Sequence, residues 1–393
     1  MKSSNFLLAE AALAAGYFIL GALFGLIGAA VLLLPFLAAV VAVASLTFRR
    51  GPARPRSLLR KVGYGASVLV VLFVAVLSFF AFITRMRETA PRAASAPPSG
   101  RFVRAGDAEV YLQEAGPATG PPILLIHGTG AWSELWRETM TFLAGQGYRA
   151  IAIDVPPFGY SEKLAGVDAF RRERQARRLA GVLDALGVEK ATILAHSVGS
   201  RPAVELALAA PDRIRALVLV DPALGFAPRR QGEPPRFEQN DPPALQRAFF
   251  AARPLRDALL GATASNPLLT RRVFEGFVSR REAVTDERVA VLRRPLSVEL
   301  TTRSYGDWFE NLMTGADSSL SSDFGRFRTF AMPVLLVWGD TDSVTPLWQG
   351  EDLHALIPGS TLEIVRGAGH IPHLEDPAAF QRALGPFLRT ALR

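Results

Sequence analysis

Residues 191–200, ATILAHSVGS, decide the fold. Ala191, Thr192, Ile193 and Leu194 are small or β-favouring, and they run straight into Ala195-His196-Ser197-Val198-Gly199. A helical pattern from Val198 to about Ala210 follows at once. A strand that becomes a helix within about one residue strains the backbone of the turn residue, and small flanking residues make that tolerable. Ala195 and Gly199 stand two places before and after Ser197. Such a turn lifts the serine hydroxyl out of the fold at a helix N-terminus, where free N–H groups and the dipole favour an anion. Taken alone, the stretch can also be an ordinary strand–loop–helix crossing with a capping serine. The residues on either side decide between the two.

Working outward, strands alternate with helices. Residues 102–105 and 109–114 flank Gly106-Asp107 as a hairpin. Strands are expected at 122–126, 149–154, 191–196 and 216–221, with helices near 134–144, 170–186 and 198–210 between them. This is the pattern of a mostly parallel sheet with helices on both faces, whose ligand sites lie beyond the carboxyl ends of the strands. From 223 to 330 the alternation breaks into short helical pieces and proline-rich turns (Pro228, Pro234, Pro235, Pro242, Pro243). A hundred such residues between two strands read as a helical cap over the active edge. The pattern resumes with a strand at 333–338, a helix at 347–357, a strand at 361–365 and a closing helix at 377–392.

The first quarter of the chain is different. Residues 6–48 carry one charge, Glu10, and residues 62–84 carry none. A membrane helix needs roughly 20 apolar residues, so the expectation is two or three transmembrane helices at 6–25, 28–48 and 62–84 within residues 1–84. Residues 85–101, RMRETAPRAASAPPSGR, read as a linker, and 102–393 as the soluble domain. The net charge is +8, and residues 1–92, with ten Lys or Arg against Glu10 and Glu88, account for all of it. That excess suits anionic lipid and leaves no basic face for nucleic acid. The cluster Arg49, Arg50, Arg54, Arg56, Arg60 and Lys61 should stay cytoplasmic, which puts the domain after residue 85 on the extracytoplasmic side of the plasma (inner) membrane. There are no cysteines, so no disulfide framework is expected.

A serine hydroxyl needs a base in contact, itself oriented by a third group. Five histidines are available. His127 is placed to brace a loop, His196 adjoins Ser197 at a tight turn and should point away, and His354 lies in a helix. His370, in Gly367-Ala368-Gly369-His370 just past the last strand, can hang over the sheet edge; His373 is the near alternative. For the acid, Asp342 in WGDTDSVTP (338–346) follows a strand and reaches further than Asp340, which shapes the turn. Asp221 is the competing acid, and Asp154 looks like a turn brace. Backbone N–H groups of Thr129 and Val198 are the candidates for an oxyanion hole.

With these residues in place, the sequence resembles the α/β-hydrolase superfamily, in its capped serine branch of esterases, lactonases, perhydrolases and carbon–carbon bond hydrolases. The resemblance covers about residues 101–393 and rests on IHGTG (126–130), DVPPFGYS (154–161), AHSVGSRP (195–202), VWGDTDSVTP (337–346) and GAGHIPHLEDP (367–377). Ala195 and Pro157 depart from the glycines usual at those positions. A serine at 197 speaks against the dehalogenases and epoxide hydrolases of this fold, which use Asp there. The resemblance implies a Ser197–His370–Asp342 triad, an acyl-enzyme and no cofactor or metal. The expected activity is hydrolysis of a small-molecule or lipid-like ester by a membrane-anchored enzyme. Acyl transfer or perhydrolysis on the same triad, and a non-catalytic protein that binds a small molecule, are the alternatives; a transporter is disfavoured because the apolar segments hold no charge but Glu10. Trp132, Phe158, Phe249, Phe250, Trp308 and Phe309 either line an apolar acyl pocket or form the core of the cap.

Overall fold

The computed structural model describes residues 56–227, 233, 235–237, 243–314 and 319–392, with the side chains of 56–64 and 66–72 left aside. The described residues divide into two units, one of Arg56–Met86 with Asp257–Ala262, the other of the remaining described residues from Arg87 onward.

The larger unit is built on an eight-stranded sheet. Its strands are β1 (Gly100–Ala105), β2 (Ala108–Ala115), β3 (Pro122–Ile126), β4 (Arg149–Ile153), β5 (Ala191–His196), β6 (Ile214–Val220), β7 (Val334–Gly339) and β8 (Thr361–Val365). They lie in the order β1-β2-β4-β3-β5-β6-β7-β8. The β1–β2 hairpin turns at Gly106, whose φ of 63° suits glycine, and β2 runs antiparallel to β4. All the other pairings are parallel. The α/β reading of the sheet is therefore the observed one.

Because successive strand side chains point to opposite faces, a central strand buried on both sides must be apolar throughout. β3 sends Leu124 and Ile126 into one core and Ile123 and Leu125 into the other; β7 divides Leu336 and Trp338 from Leu335 and Val337 in the same way. Helices Arg172–Ala185 and Ser200–Ala209 cover the first face with Leu179, Val182, Leu183, Val204 and Leu206. Helices Arg137–Gly145 and Pro377–Ala391 cover the second with Met140, Leu143, Phe380, Leu384 and Leu388. Each such buried side chain contributes on the order of 1.5–3 kcal/mol, which fixes the strand ends from which the site loops leave.

The cap is helical, as its sequence implies: Ala244–Ala251, Thr270–Glu275, Asp286–Arg293 and Thr301–Thr314 lie in the larger unit. Thr285 caps the Asp286–Arg293 helix by accepting the Arg288 N–H, the expected role of a Thr at that position.

The linker is a correction. Residues 87–100 are not a bare tether but are bound to the larger unit. Arg92–Ser95 forms a short helix, Arg92 pairs with Glu109, and the Tyr111 hydroxyl donates to the Pro97 carbonyl at 2.7 Å. Ala90 makes a parallel bridge with Val298, and the Glu88 carboxylate accepts from the Thr302 N–H. A segment rich in Ala, Pro and Ser has no apolar period to announce this, because its contacts are made by backbone carbonyls and by isolated charges.

Arg56–Arg87 is one helix of 32 residues. Among the described residues no helix is long and apolar enough to cross a membrane. The expected span at 62–84 is thus helical but not supported as a crossing, and those at 6–25 and 28–48 lie outside the described residues.

Candidate active site

The sharp turn after β5 is real. Ser197 has φ 53° and opens a single 3-10 turn, Ser197–Gly199, that leads into helix Ser200–Ala209. Two glycines let the backbones close in. A Cβ at 199 would stand 2.3 Å from the His127 carbonyl oxygen, and one at 128 would stand 2.9 Å from the Ser197 Cβ. Ala195, by contrast, is fully buried in register between Ile126 and Leu219, so its methyl group is simply part of the core.

His370 comes to this turn from the loop after β8. Its Nε2 lies 2.8 Å from Ser197 Oγ and its Nδ1 lies 2.7 Å from Asp342 Oδ2. With Nδ1 donating to the carboxylate, Nε2 is left to accept the serine proton. Asp342 is itself fixed: its Oδ1 accepts from the Val344 and Thr345 N–H groups at 2.7 and 3.0 Å, and its Oδ2 from the Thr345 hydroxyl at 2.7 Å. Burial works against its ionisation, but the hydrogen bond and attraction from His370, with the Thr345 hydroxyl, outweigh burial and hold the carboxyl below its ordinary range. Among the described residues the donor atoms of Asp221, Asp342 and His370 converge to within 4.8 Å of one another.

The competing residues have other tasks. Asp221, ending β6, bonds not to the imidazole but to the Gly339 N–H at 3.0 Å. Asp154 braces its turn by accepting from Ser133 N and Tyr160 N, both at 2.7 Å. His196 does turn away from the serine, its Nε2 donating to the His370 carbonyl at 2.7 Å. His127 donates from Nδ1 to the Gly128 carbonyl and accepts the Val155 N–H. His373 stacks on Trp136 at 4.2 Å. Burial first, and then mutual repulsion in the case of His196, pushes His127 down to about 4 and His196 down to about 3. Burial likewise drives His373 well below the ordinary imidazole range. These three rings stay neutral beside His370. Asp340, rather than bonding within its own turn, receives the Gly367 N–H at 2.6 Å.

Ser197, His370 and Thr129 line one cleft enclosing about 800 Å³, open solvent included. Val198, the other expected N–H donor, follows Ser197 in the 3-10 turn. The remaining walls are Leu135 and Trp136 from the sheet side, and Val273, Phe274, Phe277, Leu292, Leu296 and Tyr305 from the cap. No lysine or arginine is among these described residues. None of the six aromatic side chains expected at the cleft lines it. Phe158 and Trp308 pack with Phe170 and Leu296 in one small core, Trp132 lies in another, and Phe250 packs between Phe249 and Phe309. They hold the cap together and to the sheet.

One residue escaped the sequence reading. Glu375 Oε2 accepts the N–H groups of Ser279 and Arg280 at 2.7 and 2.8 Å, and Oε1 accepts those of Gly369 and Ile371 at 3.0 and 3.2 Å. It therefore clamps the His370 loop to the cap, while the His370 N–H donates to the Phe277 carbonyl at 2.9 Å. Its signal, a carboxylate in a short helix five residues past the histidine, looks like any helix-end acid.

Comparison with known proteins follows this geometry. The alpha/beta hydrolase fold family matches residues 121–377. The chain is 30% identical over 298 residues to a 2-hydroxy-6-oxo-2,4-heptadienoate hydrolase of Pseudomonas putida, covering 74% of this chain and 96% of that one. It is 30% identical over 302 residues to a 2-hydroxymuconate semialdehyde hydrolase of a Pseudomonas species, covering 76% and 96%. Among solved structures, a meta-cleavage product hydrolase from Pseudomonas fluorescens matches with a TM-score of 0.57 and 24% identity, over 74% of this chain and 98% of that one. A membrane phospholipase A matches with a TM-score of 0.56 and 24% identity, over 86% of this chain and the whole of that one.

Proposed function

The chain belongs to the α/β-hydrolase fold family, and from that premise we propose that it is a serine hydrolase acting on an uncharged, apolar carbonyl substrate, an ester above all. The observation that carries this is the unbroken line Ser197–His370–Asp342, with distances of 2.8 and 2.7 Å, in a cleft walled by apolar side chains. Ser197 attacks the carbonyl carbon while His370 Nε2 takes the hydroxyl proton and returns it to the leaving group. Asp342 holds the imidazole in the required tautomer and stabilises the imidazolium. The Thr129 and Val198 N–H groups receive the oxyanion, and water then releases the acyl group from Ser197. An alcohol or a peroxide in place of water would make the same groups an acyltransferase or a perhydrolase.

A second reading comes from the relatives, whose names describe hydrolysis of 2-hydroxy-6-oxo-dienoates and a muconate semialdehyde. Such substrates carry a carboxylate. The described cleft residues offer it no lysine or arginine, and burying an unpaired charge is costly. The apolar walls favour the ester.

Attachment to a membrane, with lipids as partners of the N-terminal segment and lipid-like esters as substrates, belongs to the same proposal. It is supported by the uncharged run 62–84 and the basic cluster before it. A further support is the row of exposed apolar side chains Phe73, Val76, Phe79, Ile83 and Met86 along the helix. The extracytoplasmic placement of the hydrolase domain rests on the same charge asymmetry.

The test is a fluorophosphonate probe applied to detergent-solubilised protein beside Ser197→Ala. Labelling of the wild type and not of the variant supports an activated serine, and a folded wild type that fails to label sinks the reading. Turnover of a series of neutral esters against a dienoate carboxylate then separates the two substrate classes. Retention of the chain in the pellet after carbonate washing of membranes tests the anchor.

A further inference from the structure

Two carboxyl groups meet behind His370. Asp221 is fully buried at the end of β6 with φ 42°, a left-handed conformation uncommon outside glycine, of the kind that gathers at functional sites. Its backbone is held on both sides: the Asp221 N–H donates to Val337 O at 3.0 Å, the Thr345 hydroxyl reaches Asp221 O at 3.4 Å, and Ala223 N donates to Ser197 O at 3.1 Å. Oδ1 receives the Gly339 N–H. Oδ2 is buried and meets no hydrogen-bond donor among the described residues, while a carboxyl oxygen of Asp221 lies within 4.8 Å of one of Asp342 and of a ring nitrogen of His370. Two carboxylates this close in a dry site cannot both be ionised without a large repulsion. Asp342 is the one that carries the charge, since it holds the donors from His370, Val344 and Thr345. The proton that satisfies Asp221 Oδ2 therefore belongs to Asp221 itself.

We propose that Asp221 is a positioning residue of the triad, a neutral carboxylic acid whose hydroxyl donates to the Asp342 carboxylate and so moderates the pull of Asp342 on the His370 proton. Burial, followed by the charge of Asp342 and the hydrogen bond between the two carboxyls, pushes Asp221 well above the ordinary carboxyl range, with Glu375 adding to it and the Gly339 N–H opposing it. The groups facing the pair are His370, Glu375 and, beyond His370, the neutral His196. With a donor on Asp342, less of its charge is left to stabilise the imidazolium.

The proposal rests on the serine-hydrolase reading, and the fluorophosphonate probe tests it without knowledge of the substrate. The labelling rate would be followed from pH 5 to pH 9 in the wild type, Asp221→Ala and Asp221→Asn, each checked for folding by its thermal transition. Asp221→Ala removes the donor, so the acidic limb of the labelling profile should move up by about one pH unit. Asp221→Asn keeps an N–H for Asp342 and a carbonyl for the Gly339 N–H, so its limb should stay within a few tenths of a unit of the wild type. A downward shift in Asp221→Ala would mean that Asp221 is charged in the wild type and would overturn the proposal. A uniform drop in rate with an unmoved limb would make the residue purely structural and overturn it equally. Should Asp221→Ala fail to fold, Asp221→Leu, which also offers Asp342 no donor, would replace it, with the same raised limb expected. An unmoved limb in Asp221→Leu overturns the proposal as well. Failure of the wild type itself to label would instead overturn the serine-hydrolase reading.

Discussion

At the sheet edge, Ser197, Asp342 and His370 sit on turns that leave β5, β7 and β8, three strands of one hydrogen-bonded sheet, of which β5 and β7 are buried along their whole length. In the cap, the walls of the same cleft come from short helices held by ring contacts such as Phe158–Trp308 at 4.9 Å and by single polar ties such as Arg256–Asp307. The first region sets atoms to within a hydrogen bond of one another. The second sets a volume. Chemistry should therefore fail by powers of ten when the edge is altered, and selectivity should drift when the cap is.

The largest effect expected at the edge is that of Ser197→Ala. It removes the nucleophile and nothing else, since the turn's φ of 53° is a property of the backbone. Ester turnover should fall by about 10⁶-fold, with a thermal midpoint within a few degrees of the wild type. A variant that kept a hundredth of the activity would show that the edge does not carry the chemistry.

Glu375 tests the seam between the two regions. Glu375→Gln replaces one of the two accepting oxygens with an NH₂ group and sets donor against donor, either at Ser279 and Arg280 or at Gly369 and Ile371. A small displacement of the His370 loop lowers the rate steeply. Single-turnover acylation should slow roughly 10- to 100-fold while the order of preference among esters is kept. If preference changed and acylation did not, the clamp would belong to the cap rather than to the edge.

How much of this could be read beforehand follows the same division. β3 begins and ends where the residue pattern puts it, because a strand buried on both faces must be apolar along its whole length. The turn at Ser197 was legible because only small residues fit beside it, Gly199 against the His127 carbonyl above all. His370 and Asp342 could be narrowed to a pair of candidates each, since few His and Asp follow a strand. Glu375 and the residues lining the cap were not legible. A carboxylate that binds four backbone N–H groups leaves no pattern in the sequence. Phe274, which lines the cleft, and Phe250, which does not, are both aromatic residues on short helices. Which of them faces the cleft depends on how those helices dock, and no local preference encodes that.

The pH dependence of stability separates the regions by composition. All five histidines lie outside residues 223–330, the cap. His127 is held down at about 4 by burial, so it stays neutral in the folded chain at pH 5 while the unfolded chain protonates below about 6.5. The unfolded state binds the extra proton, hence stability rises with pH between about 4 and 6.5 and is lost as the pH falls through that window. Asp154, raised to about 6 by burial, and Asp221 act in the opposite sense, so a difference between two chains is the clean measurement. His127→Leu leaves the Val155 N–H and the Gly128 carbonyl without this partner and should cost about 2–3 kcal/mol at pH 7. That deficit should narrow by about 2 kcal/mol at pH 5. Denaturant melts of the two chains at both pH values would show it, and a deficit that does not change with pH would mean that His127 protonates as readily folded as unfolded.

The smallest effect is the one expected of the cap. Leu292 projects from helix Asp286–Arg293 into the cleft, and it also borders a second, smaller cavity of about 230 Å³ with Leu296 and Tyr305. Leu292→Ala shortens the wall between the two and lets a bulkier acyl chain use both. A methylene in an apolar pocket is worth about tenfold in discrimination, so kcat/KM for a long or branched acyl ester relative to an acetyl ester should rise by about that factor. The fluorophosphonate labelling rate with a small probe should hold to within twofold, because none of the bonds to Ser197, His370 or Asp342 involves Leu292. A labelling rate that fell with the change in preference would mean that the cap positions the reacting atoms. The separation between a region that sets atoms and a region that sets volume would then have to be given up.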